Sequence, residues 1–355
     1  MTGRGIDQVL PYPNNPRLHE YYVRSALRYV ELAEEVNGAI SKPVDFAYIW
    51  GDALPELERV APQFRIVNLE TAVTTSDAYL PKGINYRMHP NNVGALTVAG
   101  IDCAVLANNH VLDWGQVGLA ETLSTLASAG IRTAGAGEDL AAASAAAVLE
   151  VGARARVLVF SYGTESSGIP ADWAATEARA GVARLEDLST TSVERIAHDV
   201  AKAKRAGDIV VASLHWGGNW GYDIPPQHRS LAHGLIDHAG VDVVHGHSSH
   251  HVMGIEVYQD RLILYGCGDF LNDYEGIEGY ESYRADLGLM YFPCVDPASG
   301  RLIRLDMSPT RLERFQIHLA SHDEANWLED VLNREGRPLG TAVTRQEGNR
   351  LTLRW

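Results

Sequence analysis

His245-Gly246-His247-Ser248-Ser249-His250-His251 follows directly on the apolar run Val241-Asp242-Val243-Val244, and how this junction is read decides the rest of the chain. A short apolar run that passes into a glycine-bearing polar segment predicts a buried strand delivering imidazoles at its carboxyl edge. Open α/β sheets place their chemistry at that edge. Neutral imidazole is the commonest metal-binding side chain, and Gly246 permits the backbone geometry needed to aim neighbouring rings at one point. On this reading His247 and His250 are the leading candidate ligands. The competing reading is a polar loop whose histidines bond only to backbone.

Outward from this junction, short apolar runs at 64–69, 101–107, 157–162 and 209–214 alternate with amphipathic segments near 116–129, 189–206 and 226–239. Strands alternating with helices predict a layered α/β domain. Past Gly254 the pattern changes to antiparallel hairpins. One turns at Gln259-Asp260, and the other joins 287–295 to 302–306 across Asp296-Pro297-Ala298-Ser299-Gly300. The expected fold is a mixed sheet or two packed sheets with helices outside, over residues 1–319, with a C-terminal appendage at 320–355.

Of the 355 residues 46 % are hydrophobic, enough for a sizeable core in one large or two ordinary domains. Lys and Arg number 30 against 45 Asp and Glu, and a net charge of −15 argues against nonspecific binding to nucleic acid or an anionic membrane. An anionic substrate, small or oligomeric, therefore needs a local cationic centre, which a bound metal would supply. Cys103, Cys267 and Cys294 have the spacing of neither a zinc site nor a disulfide framework, and Cys103 and Cys294 read as core residues. No apolar run is long enough to span a membrane and the first residues carry no export pattern, so a cytoplasmic protein is expected.

Other strand ends carry chemistry too. Asn68-Leu69-Glu70 closes the 64–69 run, and side chains two apart on a strand face the same way. An amide oxygen and a carboxylate there suit a hard or borderline divalent metal, while an Asn-capped turn is the plainer alternative. After 101–107 come Asn108-Asn109-His110 and Asp113-Trp114-Gly115. The His-x-x-Asp spacing lets Asp113 fix the tautomer of His110, as a ligand or a general acid. The 209–214 run ends at His215-Trp216-Gly217-Gly218-Asn219-Trp220-Gly221-Tyr222, whose aromatics read either as substrate-stacking or as packing over the sheet rim. Tyr265-Gly266-Cys267-Gly268-Asp269-Phe270 reads as a rim of the same site or as a turn capped by Asp269. In one parallel sheet all these strand ends would converge on a single edge.

In this order, Asn68-Leu69-Glu70, Ala107-Asn108-Asn109-His110-x-x-Asp113-x-Gly115, His215-Trp216-Gly217, Gly246-His247-x-x-His250 and Tyr265-Gly266-x-Gly268-Asp269-Phe270 resemble the signatures of the CapA family, from Met1 to about Asp306. That family is named for poly-γ-glutamate capsule synthesis and is related to calcineurin-like metallophosphoesterases. The resemblance implies a four-layer αββα sandwich with one or two divalent ions, Mn²⁺, Fe²⁺ or Zn²⁺. Glu70, Asn109, His215, His247 and His250 take ligand-like positions, with His110 as acid and Asp113 as its partner. Asn68, Arg4, Trp216 and Asp269 are the candidate substrate contacts. Gly51-Asp52 lacks the second aspartate of the superfamily's usual pair and reads as a turn before a helix at 55–60.

The expected activity is metal-dependent hydrolysis, of a phosphate ester by analogy with the superfamily. The alternatives are a non-catalytic role in assembling an anionic polymer, γ-glutamyl amide hydrolysis or transfer, and another metabolic reaction on the same scaffold. Met1-Thr2-Gly3-Arg4-Gly5-Ile6-Asp7 looks like a family loop that normally follows a first strand ending in Gly-Asp. The expectation is that this strand, with a ligand aspartate, precedes Met1; for a true start at Met1, Asp7 is the nearest substitute ligand.

Overall fold

Alternation of side chains along the strands divides the interior into separate apolar layers. In Cys103–Val105, Cys103 and Val105 enter one cluster while Ala104, and Leu106 just beyond, enter another, the period of two that a pleated strand imposes. Ile209–His215 does the same: Val211 joins Cys103 and Val105, whereas Val210, Ala212 and Leu214 join a third cluster on the opposite face. The structure is a computed structural model describing residues 1–151 and 155–355.

The fold is mixed α/β with several sheets. Ile66–Asn68, Cys103–Val105 and Arg132–Ala134 form a three-stranded parallel sheet. A six-stranded sheet runs in the order Ile255–Tyr258, Arg261–Leu264, Val243–His247, Ile209–His215, Ala155–Gly163, Ala147–Val151. Its inner strands are parallel and its two edge strands antiparallel. The antiparallel hairpin Leu287–Val295 and Leu302–Glu313 continues through Leu351–Arg354 to Ala342–Arg345 in a further sheet.

Helices cover the outer faces because the strands present apolar side chains there. Leu119 and Leu126 of Gly115–Ser128 pack with Ala104 and Leu106 on the small sheet. Val193, Ile196 and Val200 of Thr190–Ala203, with Leu231 and Leu235 of Pro226–Ala239, pack on Val210, Ala212, Leu214 and Val244 of the larger one. Their ends follow local rules. The Ser189 hydroxyl accepts from Thr191 N, Pro226 opens its helix without a donor to waste, and Gly240 closes it at φ 66°.

Two expectations need correction. The chemistry-bearing strand ends do not share one sheet edge: Asn68 and the 107–113 segment belong to the small sheet, His215 and His247 to the large one, so the groups meet across the gap between sheets. Cys294 is exposed, near the end of its hairpin and opposite Arg304, because the pairing there runs past the packed core. The turn reading of Gly51-Asp52 agrees with its place ahead of Ala53–Val60, where the Asp52 carboxylate accepts from Leu319 N at 3.0 Å. Among the described residues no helix is long and apolar enough to cross a membrane.

Residues 320–355 do not stand apart from the rest. Helix His322–Gly336 starts with a reciprocal capping box between Ser321 and Glu324, and its Leu328, Val331 and Leu332 sit in the same cluster as Val105, Val211 and Met307. Leu332→Ala should therefore destabilise the whole protein by roughly 2–5 kcal/mol in one denaturant transition. A second, separate transition confined to the C-terminal segment would show an independent appendage instead.

Candidate active site at the facing strand ends

The parallel register of the large sheet sets Val211 beside Val243, Ser213 beside His245 and His215 beside His247. These residues share the inner face, which turns from apolar to polar as the strands reach their carboxyl ends. Ser213 Oγ lies 3.0 Å from His245 Nδ1 and 2.9 Å from His247 Nε2; His247 Nδ1 lies 2.7 Å from His215 Nδ1, and His215 Nε2 lies 3.1 Å from Asn109 Oδ1. Burial holds His245 down to about 4 and keeps His215 and His247 well below the ordinary imidazole range, so all three are neutral at pH 7. With the Asn109 oxygen facing His215, one set of tautomers gives every contact a donor and an acceptor. His215 donates from Nε2 to Asn109, His247 donates from Nδ1 to His215, Ser213 donates to His247, and His245 donates from Nδ1 to Ser213.

The small sheet supplies the other wall. Asn108 is a pin: its amide donates to Asn68 Oδ1 at 3.0 Å and Leu69 O at 2.9 Å, and its oxygen accepts from His110 N and Val111 N. Asn68 passes the constraint on by donating to Glu70 Oε2 at 3.0 Å. Glu70 Oε1 then faces His215 Nε2 at 3.8 Å, so Glu70, Asn109 and His215 converge across the gap. Burial raises the Glu70 carboxyl above its ordinary range; His250 offsets this in part and Asp269 adds to it. It is a buried carboxylate short of positive charge.

His110 Nδ1 lies 2.7 Å from Asp113 Oδ2, the contact that the His-x-x-Asp spacing anticipates. Asp113 is fully buried, accepting also from Tyr86 N at 2.6 Å and Lys82 Nζ at 2.8 Å. Burial pushes His110 down to about 4 against the pull of Asp113. The neutral ring donates Nδ1–H to Asp113 and keeps Nε2 as an acceptor, so it takes up a proton before it can donate one.

His250 and Asp269 form a separate pair, with Nδ1 at 3.1 Å from Oδ1 and Asn272 donating to Oδ2 at 3.0 Å. Burial pulls the His250 imidazole down, yet Asp269, with Glu70, raises it above its ordinary value. Burial pushes the Asp269 carboxyl up, but the charge and hydrogen bond of His250 hold it below. Imidazolium faces carboxylate here.

Two expected substrate contacts lie elsewhere. The Arg4 guanidinium is buried, paired through Nε and Nη2 with Asp273 at 3.0 and 2.6 Å, bonded through Nη1 to Glu20 and Tyr29 at 2.9 Å, and lies over the Tyr29 and Tyr86 rings. It pins the start of the chain to the 273 segment. Trp216 packs into the outer core of the large sheet, stacked on His228 and donating to Tyr265 O at 2.9 Å, because it follows His215 by one residue and so points to the other face. Asp7, the substitute ligand, spends its carboxylate on Asn14 N, His89 N and the Asn92 amide. Ser213 and Lys82 are polar groups of the candidate site that the sequence reading passes over. Ser213 is legible by alternation, two residues before His215; Lys82 sits in a loop, Leu80-Pro81-Lys82-Gly83, with no pattern to mark it.

The donor chemistry suits a divalent cation, with neutral imidazoles beside a buried, undercompensated carboxylate. The present spacing is a hydrogen-bonded one. His215 Nε2 is bonded to Asn109, both nitrogens of His247 are engaged, and His250 is paired with Asp269. Among the described residues no group of three or more His, Cys, Asp or Glu is close enough to hold an ion.

The family described as bacterial capsule synthesis protein PGA_cap matches residues 1–274, a span containing every group named above. The chain is 48 % identical over 355 residues to a probable polyglutamine synthesis accessory protein of Mycobacterium tuberculosis, covering 99 % of this chain and 93 % of that one. It is 29 % identical to the PGA biosynthesis protein CapA of Bacillus subtilis, over 69 % of this chain and 60 % of the relative. With the capsule biosynthesis protein CapA of Bacillus anthracis the identity is 28 %, over 54 % and 45 %. The chain belongs to the PGA_cap family.

The His250–Asp269 pair fixes a pH dependence. The raised His250 contributes stability that is fully present below its unfolded value of 6.5 and is lost as pH rises through the higher folded value. The depressed Asp269 contributes above its unfolded value of 3.8 and is lost as pH falls through the lower folded value. The stability gap between wild type and Asp269→Asn, measured by denaturant in chelator, should thus be widest at about pH 4–6.5. In the mutant the NMR titration of His250 should fall below 6.5; an unmoved titration would contradict a charged pair.

Proposed function

We propose that this member of the PGA_cap family is a metal-dependent hydrolase working in the synthesis of a polyglutamate-type polymer, and that it cleaves at the gap between His110 and the Glu70–Asn109–His215 group. The observation that carries the reading is that juxtaposition. A neutral imidazole locked by a buried carboxylate stands beside a buried carboxylate, amide and imidazole whose charge His250 compensates only in part. Helices packed outside two facing sheets support the four-layer αββα arrangement and its kinship with metallophosphoesterases. Glu70, Asn109 and His215, with His247 or His250 after reorientation, would hold the ion. When bound, a divalent ion polarises the scissile centre and lowers the pKa of water at the site.

The protein's own groups account for the proton traffic. His110 takes a proton from the attacking water at Nε2, while Asp113 accepts from Nδ1–H and stabilises the imidazolium that forms. The same proton then leaves with the departing group, so a single residue is base first and acid second. Asn109 presents an amide at the centre, and Asn108 holds the loop that carries both residues. One relative's name carries polyglutamine synthesis and another's PGA biosynthesis; with the family's naming for poly-γ-glutamate, we take the substrate to be a γ-glutamyl amide: water adds to the carbonyl carbon, the carbon–nitrogen bond breaks, and a carboxylic acid and an amine result. A phosphate ester is the scaffold's reading, by analogy with metallophosphoesterases.

Purified protein given Mn²⁺ or Zn²⁺ should release new amino groups from γ-linked glutamate oligomers. His110→Asn should lower kcat by roughly 10²- to 10⁴-fold with substrate affinity retained. His215→Ala should lose both metal and activity. Turnover of phosphate esters alone would move the substrate to the scaffold's reading. Absence of turnover with either class would leave a non-catalytic accessory role, the word that the mycobacterial relative's name carries.

A further inference from the structure

Beside the candidate centre lies a cleft of about 400 Å³ between two loops, with Leu80, Pro81 and Lys82 on one side and Pro170, Asp172 and Trp173 on the other. Both loops are fastened to the catalytic segments. Leu80 N donates to Asp113 O at 2.8 Å, and Lys82 donates to Asp113 Oδ1 at 2.8 Å and to the carbonyl of Asn109. Across the cleft, Thr164 N and Ser167 Oγ donate to His215 O at 3.0 and 2.8 Å, and the loop then turns at Gly168 with φ 84°. A Cβ on Gly168 would lie 3.3 Å from Asn109 Nδ2, so the glycine lets the cleft open directly onto that amide.

Lys82 and Asp172 are the only charged side chains among these lining residues. The Lys82 ammonium donates to Asp113 and Asn109 and stands 3.4 Å from His110 Nδ1, a nitrogen whose own proton goes to Asp113, so one of its three donors remains; it is about a quarter exposed and lies 5.1 Å from the Trp173 ring centroid. Asp113 behind it is fully buried, so the cleft meets the cation and not its partner. The walls are otherwise apolar, and Asp172 stands exposed opposite.

We infer that this cleft is the substrate-positioning subsite for a glutamyl residue, with Lys82 holding its free carboxylate and Asp172 accepting from its amino group. This rests on the reading of the substrate as a glutamyl polymer and deepens it. The cleft's volume lies near the lower end of the roughly 300–1,000 Å³ typical of ligand clefts, suiting a short stretch of extended chain. The apolar walls accommodate the methylenes of the glutamyl side chain. Because Lys82 also contacts Asp113 and the Asn109 carbonyl, a carboxylate seated on it places the adjoining γ-linkage beside His110.

Calorimetric binding of a short γ-linked glutamate oligomer with a free amino terminus tests the subsite without turnover. Wild type should bind it in preference to the same oligomer with amidated carboxyls, and inorganic phosphate should not displace it. Lys82→Met should weaken binding by roughly 10- to 100-fold, the range for losing a charged hydrogen bond. Asp172→Asn, at an exposed position where folding is not at risk, should weaken the free-amine oligomer several-fold and leave its N-acetylated form unchanged. Equal binding of the free and amidated oligomers, displacement by phosphate, an unaffected Asp172→Asn, or no binding by wild type would each overturn the inference. Tight, Lys82-dependent binding without hydrolysis would sink the hydrolase and leave the subsite standing.

Discussion

The structure turns on a polar patch that cannot be left unsatisfied. Where the inner faces of two sheets meet, burial keeps His215, His245 and His247 uncharged, and both ring nitrogens of His215 and His247, with Nδ1 of His245, are met by a neighbour. An unpaired buried polar group costs more than a made hydrogen bond returns, so the register of Ile209–His215 against Val243–His247 is tightly specified. A slip of one residue would turn the imidazoles outward onto the helices and bring Leu214 and Val244 inward. The chain of donors ends at Asn109, in the turn that follows Cys103–Val105 of the small sheet, and so ties the two sheets together at their carboxyl ends.

Around that patch, each candidate residue is held in place by hydrogen bonds from its neighbours. Asn108 ties Asn68 and Leu69 to the turn that carries His110. Asp113 gathers donors from His110, Lys82 and the Tyr86 backbone. The Arg4 guanidinium bridges the first residues of the chain to Asp273, just past the His250–Asp269 pair, and Met1 donates its amino group to Leu271 O at 2.6 Å. Pre-organisation of this kind lets a site work without rearranging for each substrate, because the orienting hydrogen bonds are already made.

The same economy explains why the cleft lies where it does. The carbonyl of His215 accepts from Thr164 and Ser167, so the strand that delivers the imidazole also anchors the loop that lines the approach. The carbonyl of Asp113 likewise anchors Leu80. Approach and centre therefore share their supports, and a displacement of one is felt by the other.

Much of this was legible in the chain. Apolar runs with intervening amphipathic segments specify strands and helices because burial and hydrogen bonding act on each stretch locally. The polar endings of those runs mark where chemistry collects. His110 and Asp113 meet because a spacing of three closes a turn, and Ser213 shares a face with His215 because strands alternate. What local pattern does not contain is which runs share a sheet. The 64–69 and 101–107 runs could have joined one parallel sheet with 209–214 and 241–244, and only packing placed them on the facing layer. Nor does it contain the fate of Arg4, which the tertiary fold surrounds with Asp273 and Glu20, or of Lys82, unremarkable in its loop until folding sets it beside Asp113. Residue type and spacing determined the elements and their polar ends; the partner of each charge, and with it the division between groups spent in the fold and groups left at the candidate site, was decided by contacts between residues far apart in the chain, whose energies exist only once the layers have packed.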